Sequence, residues 1–261
     1  MKKSLALILA VLMLLLTLTA CGGKTGTAAP AAGASQTFKV ALTGSDTHQY
    51  TIAMKMLNDI LQKKSNVRIK LELFLNSALG GEREAVEGVI IGSIDMTMVT
   101  VDGVVPSWVK DTAVMSIPYL FTSKEAAYKA LDNYLKPRLE PLYIAAGLKN
   151  LGFGELGFRH FTNNKRAVKT AADMKGLLIR VQESPVWFGL VESLGATPQP
   201  VAFNELYTAL QQGVVDGQEN PFGSIASMKF YEVQKYMVLD GHTYAAGSIF
   251  MNLKKWESLS A

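Results

Sequence analysis

Between Val67 and Leu75 the chain alternates. Val67, Ile69, Leu71, Leu73 and Leu75 are aliphatic, with Arg68, Lys70 and Glu72 between them. A period of two sends successive side chains to opposite faces, so this stretch predicts a strand with one face on a core. Its neighbours change period. Tyr50 to Lys63 carries Ile52, Met56, Leu57 and Ile60 at helical spacing, and Gly81 to Ile91 is again helical. Phe38 to Leu42 and Ile94 to Val101 predict further strands. Strand, helix, strand, helix, strand implies an α/β fold with a partly parallel sheet, because parallel strands need a long crossover.

The second half repeats the style without a fixed-period repeat. Leu177 to Val181 predicts a short buried strand. Ser184 is placed as a helix N-cap, with Pro185 at the first helical position. Trp187, Leu190, Val191 and Leu194 make that helix's buried face, and Gly195 stops it. Asn204 is assigned as the cap of a second helix bearing Leu206, Ala209 and Leu210 and ended by Gly213. Val214 and Val215 then head a strand. Lys124 to Gly147 reads as helix interrupted at Pro137 and Pro141. A chain of 261 residues suffices for about two domains.

The N-terminus has a different character. Lys2 and Lys3 precede an apolar run from Leu5 to Leu18, closed by the small residues of "LTAC". This reads as an export signal, since the run falls short of the ~20 residues that span a bilayer with margin. Cys21 is the only cysteine, so no internal disulfide is expected. "LTAC" resembles the lipobox of bacterial lipoproteins, whose cysteine is acylated, and a lipid on Cys21 would anchor the exported protein to the membrane. Gly22 to Gln36 is small and nearly uncharged, a tether. The formal charge is +4; removing Lys2 and Lys3 from the 26 basic residues leaves 24 against 22 acidic, or +2. With no basic run interleaved with aromatics, nucleic-acid binding is not expected.

Catalytic signatures are scarce, and no cofactor or metal is expected. "GFGELG", Gly152 to Gly157, matches a dinucleotide fingerprint, but no helix opens on it. His48, His160 and His242 form no metal-binding pair at helical spacing. "ALQQGVVDGQENP", Ala209 to Pro221, gathers Asp216, Gln218, Glu219 and Asn220. Asp216 and Glu219 could act as an acid/base pair, although Asp-Gly is a common turn and favours a structural role for Asp216. Pro221 holds Asn220 extended. An amide at a strand end suits a small polar ligand, because ligands of open α/β sheets collect beyond the carboxyl ends of strands.

Four stretches carry a family resemblance: "NSALGGEREAVEGVIIGSIDM" (Asn76–Met96), "ADMKGLLIRV" (Ala172–Val181), "LGATPQPVAFNELYTALQQGVVDGQENP" (Leu194–Pro221) and "FYEVQKYMVLDGH" (Phe230–His242). From about Phe38 onward the chain resembles the solute-binding subunit of tripartite ATP-independent periplasmic (TRAP) transporters, the DctP-like family. The resemblance implies a two-lobed periplasmic-binding-protein-like α/β fold with mixed sheets, crossing strands, a long hinge helix and a ligand cleft. It divides the chain into signal peptide (1–20), tether (21–37), lobe I (38–157), lobe II (158–245) and a return segment (246–261). It implies no enzymatic activity. A small organic acid, a C4-dicarboxylate or a sugar acid, would be captured and delivered to small and large integral membrane permease subunits driven by an ion gradient.

The resemblance also places site residues. Arg180 matches the arginine that pairs with the ligand carboxylate; an interdomain salt bridge is the alternative. Arg159 matches a second ligand arginine, or is a solvated loop charge. Phe203 matches an aromatic cleft wall, or is core. Asn220 matches an amide that closes over the ligand, and Thr100 a polar contact from the first lobe. Leu178 replaces a usual basic residue, and Gln182, in "VQES", resembles members thought to take sugar acids. The chain ends at Ala261, where the resemblance implies further C-terminal helices that this chain lacks, which reads as a fragment with uncovered apolar surface. Two other readings remain: a lipid-anchored hydrolase using Asp216 and Glu219, and the ligand-binding subunit of a sensor.

Overall fold

A computed structural model describes residues Ser35 to Leu259; Cys21, the export segment and most of the tether lie outside them. The first half builds as its periodicity requires: β1 (Gln36–Ala41), α1 (Gln49–Lys64), β2 (Ile69–Phe74), α2 (Glu82–Ile91) and β3 (Met96–Thr100). β1 lies between β2 and β3 and is parallel to both. The alternating Leu71 of β2 turns inward with Phe38, Val40, Met96 and Met98, and Tyr50 and Met54 of α1 cover them. α2 ends at Gly92, whose φ of 87° lets its N–H reach back to the Gly88 and Val89 carbonyls. A side chain there would strain the left-handed backbone.

The next helical stretch departs from expectation. α3 (Lys124–Ala130) runs through a π-helical turn, Leu131–Leu135, into α4 (Lys136–Ala145). The prolines do not break it. Pro137 lies in the first turn of α4 directly after the π turn, and Pro141 is accommodated inside. The irregularity falls before them, in the π turn.

Two long strands then join the halves. β4 (Leu148–Asn163) contains "GFGELG" as extended strand, so no helix opens on that motif. It is followed by β5 (Leu178–Val181), α5 (Pro185–Ser193), β6 (Thr197–Pro200), α6 (Leu206–Gln211), β7 (Gly217–Pro221), α7 (Phe222–Ser227), β8 (Tyr236–Met237), β9 (Thr243–Asn252) and α8 (Leu253–Glu257). β5 is parallel to β6 and β7, which repeats the β2-β1-β3 arrangement. β4 pairs antiparallel with β9 from Leu148 to Arg159, then with β7 from Arg159 to Asn163. β9 also pairs with β3. The strand path is β2-β1-β3-β9-β4-β7-β5-β6, with β8 beside β4. Two α/β lobes are thus tied by strands that cross between them, and the expected lobe limits at 157/158 and 245/246 fall inside β4 and β9.

Local assignments in the second lobe need three corrections. Ser184 occupies the N-cap position of α5, yet its buried hydroxyl makes no capping bond. Asn204 is no cap, because a 3-10 turn at Phe203–Glu205 precedes α6 and puts Glu205 in that place. Val214 and Val215 lie in the turn before β7, so the strand is the polar "GQENP". Burial of Trp187 and Val191 on Ile179 and Val181 follows the predicted stripe, with Leu190 and Leu194 packed at its edge.

Candidate functional site

Residues at the carboxyl ends of β3, β5 and β7, namely Thr100, Arg180 with Gln182, and Asn220, line one cavity. Contacts bridge the lobes. Arg83 of α2 donates to Glu183 at 2.7 Å, and Trp187 Nε1 donates to the Asp102 carbonyl at 3.3 Å. Ser45 Oγ donates to the Ser227 carbonyl at 3.2 Å. Beneath them lies this inner cavity, lined by Thr43, His48, Tyr50, Thr100, Leu156, Asn220 and Ser224 together with Glu82, Arg180, Gln182 and Phe203. The last four also line a second cavity that adjoins Gly81, Gly103 and Glu183.

Arg180 sits on β5 and is 3% exposed. Its Nε donates to the Val201 carbonyl at 2.8 Å, while Nη1 has no hydrogen-bond partner. Burial lowers its pKa to about 10, so it remains a cation at neutral pH. A buried guanidinium with an unpaired edge is costly unless something anionic meets it. Of the sequence-predicted contacts, Asn220, Phe203 and Thr100 line the same inner cavity. Phe203 meets His48 edge-on at 5.8 Å and Phe230 at 5.9 Å, so it is both cavity wall and core edge.

Arg159 differs. It is neither in a loop nor solvated, but 1% exposed on β4. Its guanidinium grips the Glu219 carboxylate through Nε and, at 2.8 Å, through Nη2. Nη2 also donates to the Asn220 Oδ1 at 3.1 Å, and Trp187 stacks 5.0 Å away. It lines neither cavity described above. Although burial raises the pKa of Glu219, Arg159 and His242 together hold it below the usual range. His242 in turn is raised, against its burial, by Asp240 and Glu219. Asp216 is pinned elsewhere, accepting from the Leu178 N–H at 2.9 Å and pairing with Lys165 at 3.2 Å. Both carboxylates of the hydrolase reading are therefore consumed by the protein itself.

Sequence reading missed part of the wall. Glu82 was seen only as the start of α2. It reaches back so that its Oε1 accepts from the Thr100 N–H at 3.2 Å and from Thr100 Oγ1 at 3.3 Å. Burial pushes its pKa up to about 7 despite those bonds. His48, dismissed as a metal ligand, caps α1 by accepting from the Tyr50 N–H, and its Nε2 contacts Ser224 Oγ across the cleft at 3.3 Å. Burial lowers its pKa to about 4, so it is neutral. Gln182, singled out in the sequence for the likeness of "VQES" to members thought to take sugar acids, is buried with Nε2 unpartnered.

A family model for bacterial extracellular solute-binding proteins, family 7 (DctP), matches residues 40–261. The chain belongs to this family. A solute-binding protein of Verminephrobacter eiseniae is 38% identical over 230 residues, covering 88% of this chain and 68% of the relative. The 2,3-diketo-L-gulonate-binding periplasmic protein YiaO of Escherichia coli is 36% identical, covering 87% and 69% respectively. A crystal structure of a TRAP periplasmic solute-binding protein from Polaromonas sp. JS666, bound to D-erythronate, superposes with a TM-score of 0.84 at 38% identity, covering 87% of this chain and 74% of that one. These relatives of the family-7 chain are binding proteins, not enzymes, which removes the hydrolase reading.

Proposed function

We propose that this family-7 protein captures a small organic acid outside the cytoplasmic membrane and delivers it to integral TRAP permease subunits driven by an ion gradient. Arg180 clamps the carboxylate. The observation that carries this is the unpartnered Nη1 of a 3%-exposed arginine that lines a cavity between the two lobes. A guanidinium fork meets a carboxylate in two parallel hydrogen bonds, and no other cation lines the inner cavity. Asn220 and Thr100 supply polar contacts and Phe203 a flat wall. Arg159, with its fork on Glu219, positions the Asn220 amide. Relatives that bind 2,3-diketo-L-gulonate and D-erythronate support the ligand class.

A thermal-shift panel of small acids identifies the best ligand, since a ligand of the native state raises its apparent stability. Calorimetry then tests the clamp. Arg180→Ala leaves a buried carboxylate unpaired, at about 2–5 kcal/mol, or about 30-fold to several thousand-fold in affinity. Arg180→Lys keeps the charge, loses the fork and binds weakly too. Binding by Arg180→Ala within about threefold of wild type would place the clamp elsewhere. We also propose that a lipid on Cys21 holds the protein at the outer membrane face. Cys21→Ser then releases it to the soluble fraction, and unchanged membrane retention overturns the anchor.

A further inference from the structure

We infer that the end of lobe I where the chain enters the fold is a docking face for anionic lipid headgroups, and that it holds the anchored protein with its cavity end away from the membrane. This rests on the lipid at Cys21 proposed above and adds which face meets the bilayer.

The topology gathers this end. The parallel strands β1, β2 and β3 start here, and the helices between them, α1 and α2, finish here. Ser35 is the first described residue, and the Gln36 N–H donates to the Arg68 carbonyl at 2.6 Å. The chain from Cys21 therefore enters beside the loop between α1 and β2. A chain of about 14 residues, from Cys21 to Ser35, reaches at most about 50 Å, which keeps this end close to the bilayer. The cavity residues lie at the opposite end of the same elements: His48 before α1, Glu82 at the start of α2 and Thr100 at the end of β3.

The surface of this end suits an anionic bilayer. Lys63, Lys64, Arg68 and Lys70 are all exposed around the loop. Of the nearby acids, Asp95 is matched by Lys255 at 3.7 Å, Glu257 stands near Lys254, and Asp59, Glu72 and Glu87 lie further in along their elements. Among the basic groups project two of the three most exposed aliphatic side chains of the described residues, Ile91 at 78% and Val67 at 70%. Val67 is also strained. Its φ of 67° puts a β-branched residue in the left-handed region that Gly or Asn occupies at little cost. Contact with water compensates neither the strain nor the exposure, whereas a headgroup layer takes in apolar tips ringed by cations. Each Lys or Arg at such a surface shifts the population about fivefold towards the docked state. The attraction fades within a Debye length, about 10 Å at 0.1 M salt, so docking is reversible. Docked on this base, the protein holds its cavity end out towards arriving solute, and it must lift off to present that end to a permease.

The test uses the acylated full chain in vesicles that contain no permease. A dye is placed on Ser93→Cys, at this end, or on Ser193→Cys, at the end of α5 remote from the cavity in lobe II, and a quencher on the lipid headgroups. In vesicles rich in phosphatidylglycerol, quenching at Ser93→Cys should exceed that at Ser193→Cys about threefold or more. Zwitterionic lipid, or about 1 M salt, should remove most of that excess. Lys63→Glu, Lys64→Glu and Arg68→Glu together should remove it too, with melting temperature and ligand affinity unchanged. Val67→Asn should relieve the strain, raise the melting temperature and still lower the excess, which separates docking from a fold defect. Equal quenching at the two positions in anionic vesicles overturns the docking face and leaves the anchor standing. So does an excess that persists in zwitterionic lipid and in the charge-reversed chain. A chain without lipid on Cys21 overturns the anchor, and this orientation with it.

Discussion

β3 and β7 hold equivalent places in their lobes, each the inner strand of a parallel unit, and every residue of each is buried. β3 reads Met96-Thr97-Met98-Val99-Thr100 and packs largely by shape. β7 reads Gly217-Gln218-Glu219-Asn220-Pro221 and buries three polar side chains in a row. Each of the three has a partner: Gln218 with Thr162, Glu219 with Arg159, and Asn220 with Gln218 and Arg159. Burial of apolar groups is self-sufficient, whereas burial of polar groups obliges a network. The strand that carries the network is the one that delivers Asn220 to the cavity. Both strands reach the cavity, β3 with Thr100 and β7 with Asn220, but only β7 holds its cavity residue in a row of buried polar side chains.

Breaking the Arg159–Glu219 pair should have the largest effect. Glu219→Ala leaves a buried guanidinium without its anion and should cost about 3–5 kcal/mol in denaturant unfolding. Arg159→Met together with Glu219→Leu should recover much of that, because well-packed apolar residues often replace a buried pair without loss. If the double variant is as unstable as the single, the network holds the lobe by more than charge. On β3, Met98→Ala should cost about 2–5 kcal/mol by leaving a cavity, yet leave ligand affinity within about threefold once folded. A large affinity loss there would erase the distinction between the strands.

His48 sharpens the comparison through pH. Its folded pKa of about 4 lies below the ordinary 6.5, so the unfolded chain takes a proton first. The stability it contributes is full above pH 6.5 and lost as pH falls towards 4, reaching about 3 kcal/mol. Burial raises Glu82 and Asp102 instead, which favours the native state as pH falls, so a bare profile mixes both signs. His48→Asn keeps a cap acceptor and removes the titration. The stability gap between wild type and this variant should move against wild type between pH 7 and 4.5; a constant gap refutes it. The smallest effect is expected at Asn220→Ala, about 0.5–1.5 kcal/mol of ligand affinity by calorimetry, one neutral hydrogen bond.

The same two strands explain what the sequence could reveal. β2 and β3 were legible because apolar periodicity is a burial code. β7 was placed too early, at Val214 and Val215, because a buried strand of Gln, Glu and Asn has no such code and is fixed by partners up to 61 residues away. Arg180 and Asn220 were found through resemblance and through Pro221. Arg159 was left open for want of Glu219 as its visible partner. Glu82 was missed because a glutamate in the first turn of a helix looks ordinary. Only the approach of α2 to Thr100 reveals where its carboxylate goes.

The crossing of β4 and β9 bears on how binding energy is used. Their pairing extends from Leu148 to Arg159 and shifts register at bulges between Asn150 and Gly152 and between Glu155 and Gly157. A connection made of paired strands is already ordered, so little of a ligand's binding energy need go into freezing linkers. Bulges bend and twist a ribbon without unpairing its ends. The two walls of the cleft therefore meet preorganised, and affinity is left to be decided by the few side chains between them.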